Sequence, residues 1–529
     1  MISRNIFFLL TSCGIFFTPP VAFSQPNLEW EQAYGDSGKD EARFILPLSP
    51  DRMLLAGSTD SHSGMISYNH GGSDVWLTKT DSSGNLLWEK TYGGSDDDFA
   101  MAAAQDGNSG WIVGGYTYSN DGDVSGYHAN GDGWIFRTDS LGNLLWQRAL
   151  GGSGYDRINN LMRTASGDFM LIGKSETSDG DVSANHGGDD YWAVKMDTAG
   201  NLLWEHSFGG SADDQGWAVW QTSDGGFLLT GQAYSADGDA STNKGWNDYW
   251  TVKLDSSGAL QWEKSYGGTN NDNARAAVQT SDGGYLVAGF TFSSDGDVSF
   301  FHGSVDYWVL KLDSAGVLLW EKTYGGSNFD YGVSLLPSQD GNYVVAGRSG
   351  SWDGDVSLNH GNEDAWIIKI SDTGTLLWEK SLGGSGWDAF FYCIEDAAGR
   401  LIASGRSSSA DGDVSVNHGS DDEWTVKLSG AVVAEAEGWI PGGECKIYPN
   451  PFSDEVVIFV PAALGDAGAE KHFTLYDLTG REMLRMNISP RYSLEGKFLF
   501  RRKNLPAGMY LYTLSSGNII SASGKLIAE

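Results

Sequence analysis

The residues best suited to bind a metal ion recur in long segments that resemble loops. Most of these segments follow the pattern Ser-x-Asp-Gly-Asp-Val-Ser-x-x-His-Gly-x-x-Asp. One example contains Asp295, Asp297, His302 and Asp306. Calcium prefers several hard oxygen ligands, which two Asp residues at i and i+2 and a third carboxylate can supply. The pattern therefore permits calcium binding, and the candidate ligands are Asp121, Asp123, Asp179, Asp181, Asp237, Asp239, Asp295, Asp297, Asp353, Asp355, Asp411 and Asp413.

A structural interpretation of the same residues competes with calcium. Asp before Gly forms Asx turns, and the His can hydrogen-bond to backbone and hold a long loop. No Glu follows at the EF-hand distance. Zinc is disfavoured because the His and carboxylates are too dispersed for a closed tetrahedral site. Turn formation is the favoured interpretation, and calcium is the alternative.

These loops belong to a repeat of 58 residues, which is the dominant feature of the chain. Two Trp positions, one Gly and one Asp recur in register seven times, and such periodicity indicates a repeat architecture. The series are Trp30, Trp88, Trp146, Trp204, Trp262, Trp320, Trp378; Trp76, Trp134, Trp192, Trp250, Trp308, Trp366, Trp424; Gly57, Gly115, Gly173, Gly231, Gly289, Gly347, Gly405; and Asp40, Asp98, Asp156, Asp214, Asp272, Asp330, Asp388.

One repeat contains four strand signals separated by turns rich in Asp and Gly. In residues 272–324 the strands are expected at 274–280, 285–292, 307–312 and 317–324. Nothing in the repeat has a helical period. Four antiparallel strands in seven repeats predict an all-β fold, a seven-bladed β-propeller over residues 27–428.

The phase of the repeat predicts how the ring closes. The array begins with a lone fourth strand at residues 28–33 and ends on a third strand at 422–428. We expect the N-terminal strand to complete the last blade, because this pairing leaves no free sheet edge.

The symmetry breaks at one position on the strand expected to line the channel. Three residues after each repeated Asp stand Arg43, Met101, Asn159, Trp217, Arg275, Val333 and Phe391. This variation predicts a ligand site in which Arg43 and Arg275 bind anions and Trp217 stacks, with neutral drift as the alternative. Trp246, in the long loop of the fourth repeat, suggests a partner surface nearby.

Composition restricts the class of partner. The formal net charge is −35, and the acidity lies before Cys445, which argues against binding of nucleic acid or an anionic membrane. A basic residue recurs on the third strand of each repeat from Lys79 to Lys427, and we expect it to form ion pairs between blades. The cysteines give no disulfide framework, and we expect a monomer.

The first 24 residues have the features of an export signal. Arg4 precedes an apolar stretch from Ile6 to Phe17, and a cleavage site with small residues lies near Ser24. A lipoprotein signal ending at Cys13 is the alternative.

After Leu428 the repeat ends, and residues 429–444 are predicted to be a linker. Short strand signals follow and predict a small β-sandwich at 445–529. The motifs Lys446–Phe452, Phe473–Arg481, Leu505–Tyr510 and Gly524–Ile527 resemble the C-terminal sorting domain of type IX secretion cargo. The residues that carry the resemblance are Tyr448, Pro449, Asn450, Pro451, Gly480, Gly508, Tyr510 and Lys525.

This resemblance implies a location and two kinds of partner. It implies export across the outer membrane to the cell surface or beyond, contact with the type IX machinery and its sortase, and attachment to surface lipopolysaccharide in the anchored case. The leading functional hypothesis is a non-enzymatic module that binds an extracellular glycan, protein or matrix component. The alternative is a glycosidase or lyase, which would need a carboxylate pair that breaks the symmetry; no catalytic residue is assigned.

Overall fold

The computed structural model describes residues 22–23, 25–49, 52–429, 433–434, 447–448, 455–459, 471–476, 482–488, 497–502, 505–506, 508–516 and 519–528. Within these ranges every regular element is a β-strand, and no helix is long and apolar enough to cross a membrane. The chain forms two compact units: Ser24–Val432, and Met1–Phe23 together with Val433–Glu529.

The first unit contains seven four-stranded antiparallel sheets, here called blades 1 to 7, each with strands in the order A-B-C-D. The A strands are Asp40–Ser49, Asp98–Gln105, Asp156–Arg163, Asp214–Gln221, Asp272–Gln279, Asp330–Pro337 and Asp388–Glu395. The B strands are Arg52–Thr59, Trp111–Thr117, Phe169–Ser175, Phe227–Ala233, Tyr285–Thr291, Tyr343–Ser349 and Leu401–Ser407.

The outer half of each blade consists of strands C and D. The C strands are Asp74–Asp81, Asp132–Thr138, Asp190–Met196, Asp248–Leu254, Asp306–Leu312, Asp364–Ile370 and Asp422–Leu428. The D strands of blades 1 to 6 are Leu86–Tyr92, Leu144–Leu150, Leu202–Phe208, Leu260–Tyr266, Leu318–Tyr324 and Leu376–Leu382. In blade 7 the D strand is Leu28–Tyr34.

The blades form a closed ring. Each A strand contacts the A strands of both neighbouring blades, including those of blades 7 and 1. The A strands are therefore innermost and surround a central channel. The seven-bladed β-propeller predicted from the repeat is confirmed.

Tryptophan side chains fill the space within and between blades. The Trp on each C strand is fully buried, and its indole N–H donates to a Glu or Gln on strand D, as Trp308 does to Glu321 at 2.8 Å. At six of the seven junctions the Trp on strand D packs on the C–D turn of the next blade, as Trp262 does on Gly316. Burial of large aromatic surfaces at every junction stabilises the ring.

The last blade is built from both ends of the repeat array. Leu28 pairs with Leu428 and Trp30 with Lys427 in the antiparallel register used by the other blades. The indole N–H of Trp424 donates to Glu31 at 3.1 Å. Strand D of blade 7 thus makes the same internal contacts as its six counterparts.

The second unit contains two sheets around one core. Ile447–Tyr448, Glu455–Phe459 and Lys497–Arg501 form one sheet, and Glu482–Ile488, Lys471–Tyr476, Gly508–Ser516 and Ile519–Ala528 form the other. Side chains from both sheets, among them Phe500 and Phe473, share the core. A two-residue pairing of Ala22–Phe23 with Val433–Ala434 belongs to the same unit.

Several sequence predictions fall on residues outside the described ranges. They include the export signal as far as residue 21, most of the linker, and Pro449, Asn450, Pro451 and Gly480 of the sorting motif. Of the remaining motif residues, Tyr448, Gly508 and Lys525 lie in strands. Tyr510 is buried, and its hydroxyl donates to the carbonyl of Pro506 at 2.9 Å.

Candidate ligand site at the mouth of the channel

Strand A of every blade contains a β-bulge at the same position, and strand A of blade 1 has a second irregularity near its end. In blade 5, Ala274 pairs with Gly289 and Ala276 with Ala288, so Arg275 between them has no partner on strand B. Bulges bend a strand and redirect the extra side chain. The bulged residues of blades 1 to 7 are Arg43, Met101, Asn159, Trp217, Arg275, Val333 and Phe391, the same seven that vary in sequence.

The repeated Gly on strand B explains why the bulge can form. A Cβ on Gly289 would collide with the carbonyl oxygen of Asn273 and the hydroxyl of Tyr249. The equivalent Gly in each blade meets the A-strand carbonyl in the same way. The absence of a side chain therefore allows the close backbone approach that the bulge requires.

All seven bulged residues line one cavity of about 490 Å³, here called the channel-mouth pocket. The start of strand A and the end of strand B supply further lining residues, among them Arg157, Tyr116 and Arg348. Residues from the second half of strand A, such as Val278, line the pocket as well, so it extends along the channel from the face that carries the long B–C loops. Its volume is in the range of sites for small molecules.

Two guanidinium groups contact the same indole ring in this pocket. The Cζ of Arg275 lies 3.7 Å from the ring centroid of Trp217, and the Cζ of Arg157 lies 4.8 Å from it. Both distances are within the range of cation–π attraction. Arg157 comes from blade 3, Trp217 from blade 4 and Arg275 from blade 5.

Asn159 links Arg157 to the neighbouring blade. Its side-chain carbonyl accepts a hydrogen bond from Nε of Arg157, and its amide donates to the carbonyl of Gly216 at 2.7 Å. Gly216 directly precedes Trp217. Asn159, the bulged residue of blade 3, therefore orients the guanidinium of Arg157 against Trp217, the bulged residue of blade 4.

Two other arginines of the pocket have carboxylate partners. Nε of Arg43 donates to Glu41 at 2.7 Å, and Nε of Arg348 lies 2.7 Å from a Glu363 oxygen. Each also lies over an aromatic ring, Arg43 over Phe391 and Arg348 over Tyr331. Their charge is thereby neutralised locally.

Arg157 and Arg275, here called the arginine pair, are in a different situation. Within the described part of the chain neither forms an ion pair with a carboxylate, and no Asp or Glu lines the pocket. Burial, followed by repulsion from Arg157, lowers the pKa of Arg275 to about 9, so it is still charged at neutral pH. The protein thus concentrates positive charge in the pocket of an otherwise acidic chain.

Three of the four residues assigned to a ligand site from sequence lie together. Arg43, Trp217 and Arg275 all line the pocket. Trp246 does not line it. This residue is 61% exposed in the B–C loop of blade 4, and its ring centroid lies 6.4 Å from that of Tyr234. Guanidinium groups lie over the ring of Trp217, for which stacking on a ligand stays a prediction.

Arg157, Tyr116 and Arg348 line the pocket but were not predicted from the sequence. Arg157 stands two residues before a bulged position, and the other two directly follow the repeated Gly on strand B. Both positions vary from repeat to repeat, and that variation is the signal that could have found them.

The Asp-Gly-Asp loops make regular contacts with the backbone of the preceding D–A connection. Asp295 accepts the backbone N–H of Thr269 at 2.8 Å, and the N–H of Asp297 donates to the carbonyl of Gly267 at 2.9 Å. The described residues contain no group of three or more His, Cys, Asp or Glu placed to hold a metal ion. Calcium binding at these loops stays a prediction.

In six of the seven loops a His pairs with the Asp at the start of strand C of its own blade, and two of these His side chains also contact an Asp in the loop of the next blade. Nδ1 of His302 lies 2.9 Å from Asp306 at the start of strand C, and Nε2 lies 3.8 Å from Asp355 in the loop of the next blade. The hydrogen bond to Asp306 raises the pKa of His302. In blade 4, Lys244 replaces the His and forms an ion pair with Asp297.

Six of the seven basic residues of strand C form ion pairs, and these lie within one blade, so the predicted location between blades was wrong. Arg137 pairs with Asp106 at 2.7 Å, and Lys311 pairs with Asp282 at 2.8 Å. Both carboxylates belong to the A–B turn of the same blade. The ion pairs therefore connect strand C to the A–B turn beside it.

Comparisons with known proteins place the two units in context. Residues 446–529 match the family of secretion system C-terminal sorting domains. This match confirms the resemblance and indicates export by the type IX secretion system to the cell surface or extracellular space. The strand pairing of the first unit is sufficient to identify it as a β-propeller.

Similarity to individual proteins is low. The regulatory protein FlaEY of Caulobacter vibrioides is 28% identical over 201 residues, which is 36% of this chain and 20% of that protein. The chain thus spans about a fifth of the relative's length. The WD40 propeller domain of Doa1 has a TM-score of 0.44 at 12% identity, covering 77% of this chain and 97% of that domain. The α-L-arabinofuranosidase Arb93A of Fusarium graminearum has a TM-score of 0.37 at 9% identity, covering 62% and 92%.

Proposed function

We propose that this protein is a secreted, non-enzymatic binding module that holds a glycan chain end in the channel-mouth pocket. The observation that carries the proposal is the ring of bulges. Seven equivalent positions point into one cavity, and they are occupied by six different residue types. A position with only a structural role would be expected to keep one residue type, as the Gly opposite it does.

The composition of the pocket supports binding over hydrolysis. A glycosidase with the common mechanism needs two carboxyl groups about 5–10 Å apart on either side of the scissile bond. Among the described residues that line the pocket there is no Asp or Glu. Hydrogen-bond donors and apolar side chains are both present, which is typical of a site that orients a small ligand.

A glycan array probed with the full chain tests this function. The blocking variant is Val333→Trp, because Trp already occupies the equivalent bulge in blade 4 and should be accommodated in blade 6. The matched control is Val317→Trp, where the Val is 54% exposed and lies outside the pocket. We expect retained glycans to be lost with Val333→Trp and kept with Val317→Trp.

Two results would contradict the proposal. If no glycan were retained, or if retained glycans bound Val333→Trp as well as the unmodified chain, the pocket would not be the site. If a retained glycan were cleaved, as measured by new reducing ends or unsaturated sugars, the enzyme alternative would replace the binding module.

A further inference from the structure

We infer that the ligand of the channel-mouth pocket carries an oxyanion, a carboxylate or sulfate of an acidic sugar, and that the arginine pair binds it. This inference rests on the proposed function and adds the chemical class of the ligand. It is carried by the charge and the hydrogen-bonding state of the groups in the pocket.

The arginine pair is positively charged, half-buried and not neutralised. The other two arginines of the pocket have a carboxylate at 2.7 Å, whereas Arg275 makes no hydrogen bond within the described part of the chain and Arg157 is held by an uncharged amide. Two like charges over one indole ring repel each other, and repulsion by Arg157 contributes to the lowered pKa of Arg275. An anion placed between them would remove that repulsion.

A third donor lies beside the pair. Nε1 of Trp217 is buried and has no hydrogen-bond partner in the described residues. A buried N–H without an acceptor is unfavourable, and an oxygen of a bound ligand would satisfy it. The unpaired indole N–H is independent of the charge argument and is compatible with a ligand rich in acceptor oxygens.

Three aromatic rings of the pocket lie under guanidinium groups, so these three rings are poor platforms for a sugar. Arg43 lies over Phe391, Arg348 over Tyr331, and the arginine pair over Trp217. Recognition of a neutral sugar through stacking would need a free ring face. The planar guanidinium instead matches the two oxygens of a carboxylate, or of a sulfate, and binds them in bidentate geometry.

The test compares a charged ligand with its neutral analogue. Oligogalacturonate supplies the carboxylate, its methyl ester is the matched neutral saccharide, and a sulfated galactan oligosaccharide supplies the alternative oxyanion. Binding to the full chain is measured by isothermal titration calorimetry at low and high salt. We expect the acid or the sulfate to bind about tenfold or more tightly than the ester, with affinity falling as salt rises.

Variants of the arginines assign the interaction to the pocket. Arg275→Gln and Arg157→Gln should each weaken binding of the charged ligand about tenfold or more. Arg163→Gln is the control, because Arg163 is exposed at the other end of the strand that carries Arg157. Circular dichroism and the unfolding midpoint check that each variant folds.

The outcomes separate this inference from the proposed function. If acid, sulfate and ester bound with equal affinity and Val333→Trp abolished that binding, the ligand would not need an oxyanion. The proposed binding module would still hold. Unchanged affinity in both arginine variants would also overturn the inference of an oxyanion. If none of the saccharides bound the unmodified chain, or if Val333→Trp had no effect, the proposed function itself would fail.

Discussion

The guanidinium of Arg275 lies 3.7 Å from the ring centroid of Trp217, and both residues are bulged residues of adjacent A strands. The contact exists because the bulge recurs at the same height in every blade. Seven equivalent side chains are thereby brought to the channel mouth, where residues 58 apart in sequence become neighbours. The repeated residues form a common frame of seven A strands, and the residues that differ between repeats line the candidate site.

The Gly opposite each bulge should be required for this frame. A Cβ at Gly347 would meet the carbonyl oxygen of Tyr331 and the hydroxyl of Tyr307, so Gly347→Ala should cost about 1–3 kcal/mol in the free energy of unfolding. Gly350→Ala is the matched control, because no atom lies closer than 3.4 Å to its Cβ position. Equal urea midpoints for the two variants would show that the close approach is unimportant.

The fold could be predicted from sequence because its determinants are local and repeat seven times. The buried Trp of strand C and the turn residues recur at one spacing, so a single blade explains all the others. The site could be predicted only in part. Arg43, Trp217 and Arg275 were identified by their variation, but Arg157 enters through the hydrogen bond that Asn159 makes across two blades.

The partner of the basic residue on strand C also could not be predicted from the sequence. Its recurrence indicated an ion pair, yet the sequence could not tell which carboxylate was nearest, since the A–B turn of its own blade and the adjoining blade both offer acidic residues. The geometry of the hairpin decides it: Lys311 reaches Asp282 across the width of one sheet.

The N-terminal strand should contribute to stability as the other D strands do. Glu31 accepts the indole N–H of Trp424 as Glu321 accepts that of Trp308. Glu31→Ala and Glu321→Ala should therefore each cost about 1–3 kcal/mol, because a largely buried donor loses its acceptor. Glu29→Ala, at an exposed position of the same strand, is the control. A large cost for Glu321→Ala with none for Glu31→Ala would contradict an equal role for the N-terminal strand.

The Asp-Gly-Asp loops should depend on hydrogen bonds more than on a metal ion. Asp295 accepts the backbone N–H of Thr269, and Asn keeps an acceptor oxygen at that position while Ala does not. We expect Asp295→Ala to cost about 1 kcal/mol and Asp295→Asn clearly less. Thermal unfolding with calcium and with EGTA should then give the same midpoint. If calcium raised the midpoint of the unmodified chain but not that of Asp295→Asn, a calcium ion bound at the loop would be established instead.

The junction of blades 7 and 1 should make the ring sensitive to alkaline pH. Glu423 is fully buried and accepts a hydrogen bond from Thr78 of blade 1 at 2.9 Å. Burial raises the pKa of Glu423 to about 8, with a smaller contribution from Asp40. The folded ring therefore keeps a proton that the unfolded chain releases at its ordinary, lower pKa.

The sign of the effect follows from that difference. The contribution of Glu423 to stability is complete below the ordinary pKa of Glu, about 4.3, and is lost as the pH rises through about 8. Glu423→Gln keeps an oxygen for Thr78 and cannot ionise, so it should be more stable than the unmodified chain at pH 9 and close to it near pH 4. Urea unfolding at both pH values measures the difference, with Glu29→Gln as an exposed control. A constant difference between the Glu423→Gln variant and the unmodified chain across this range would show that Glu423 does not titrate in the folded ring.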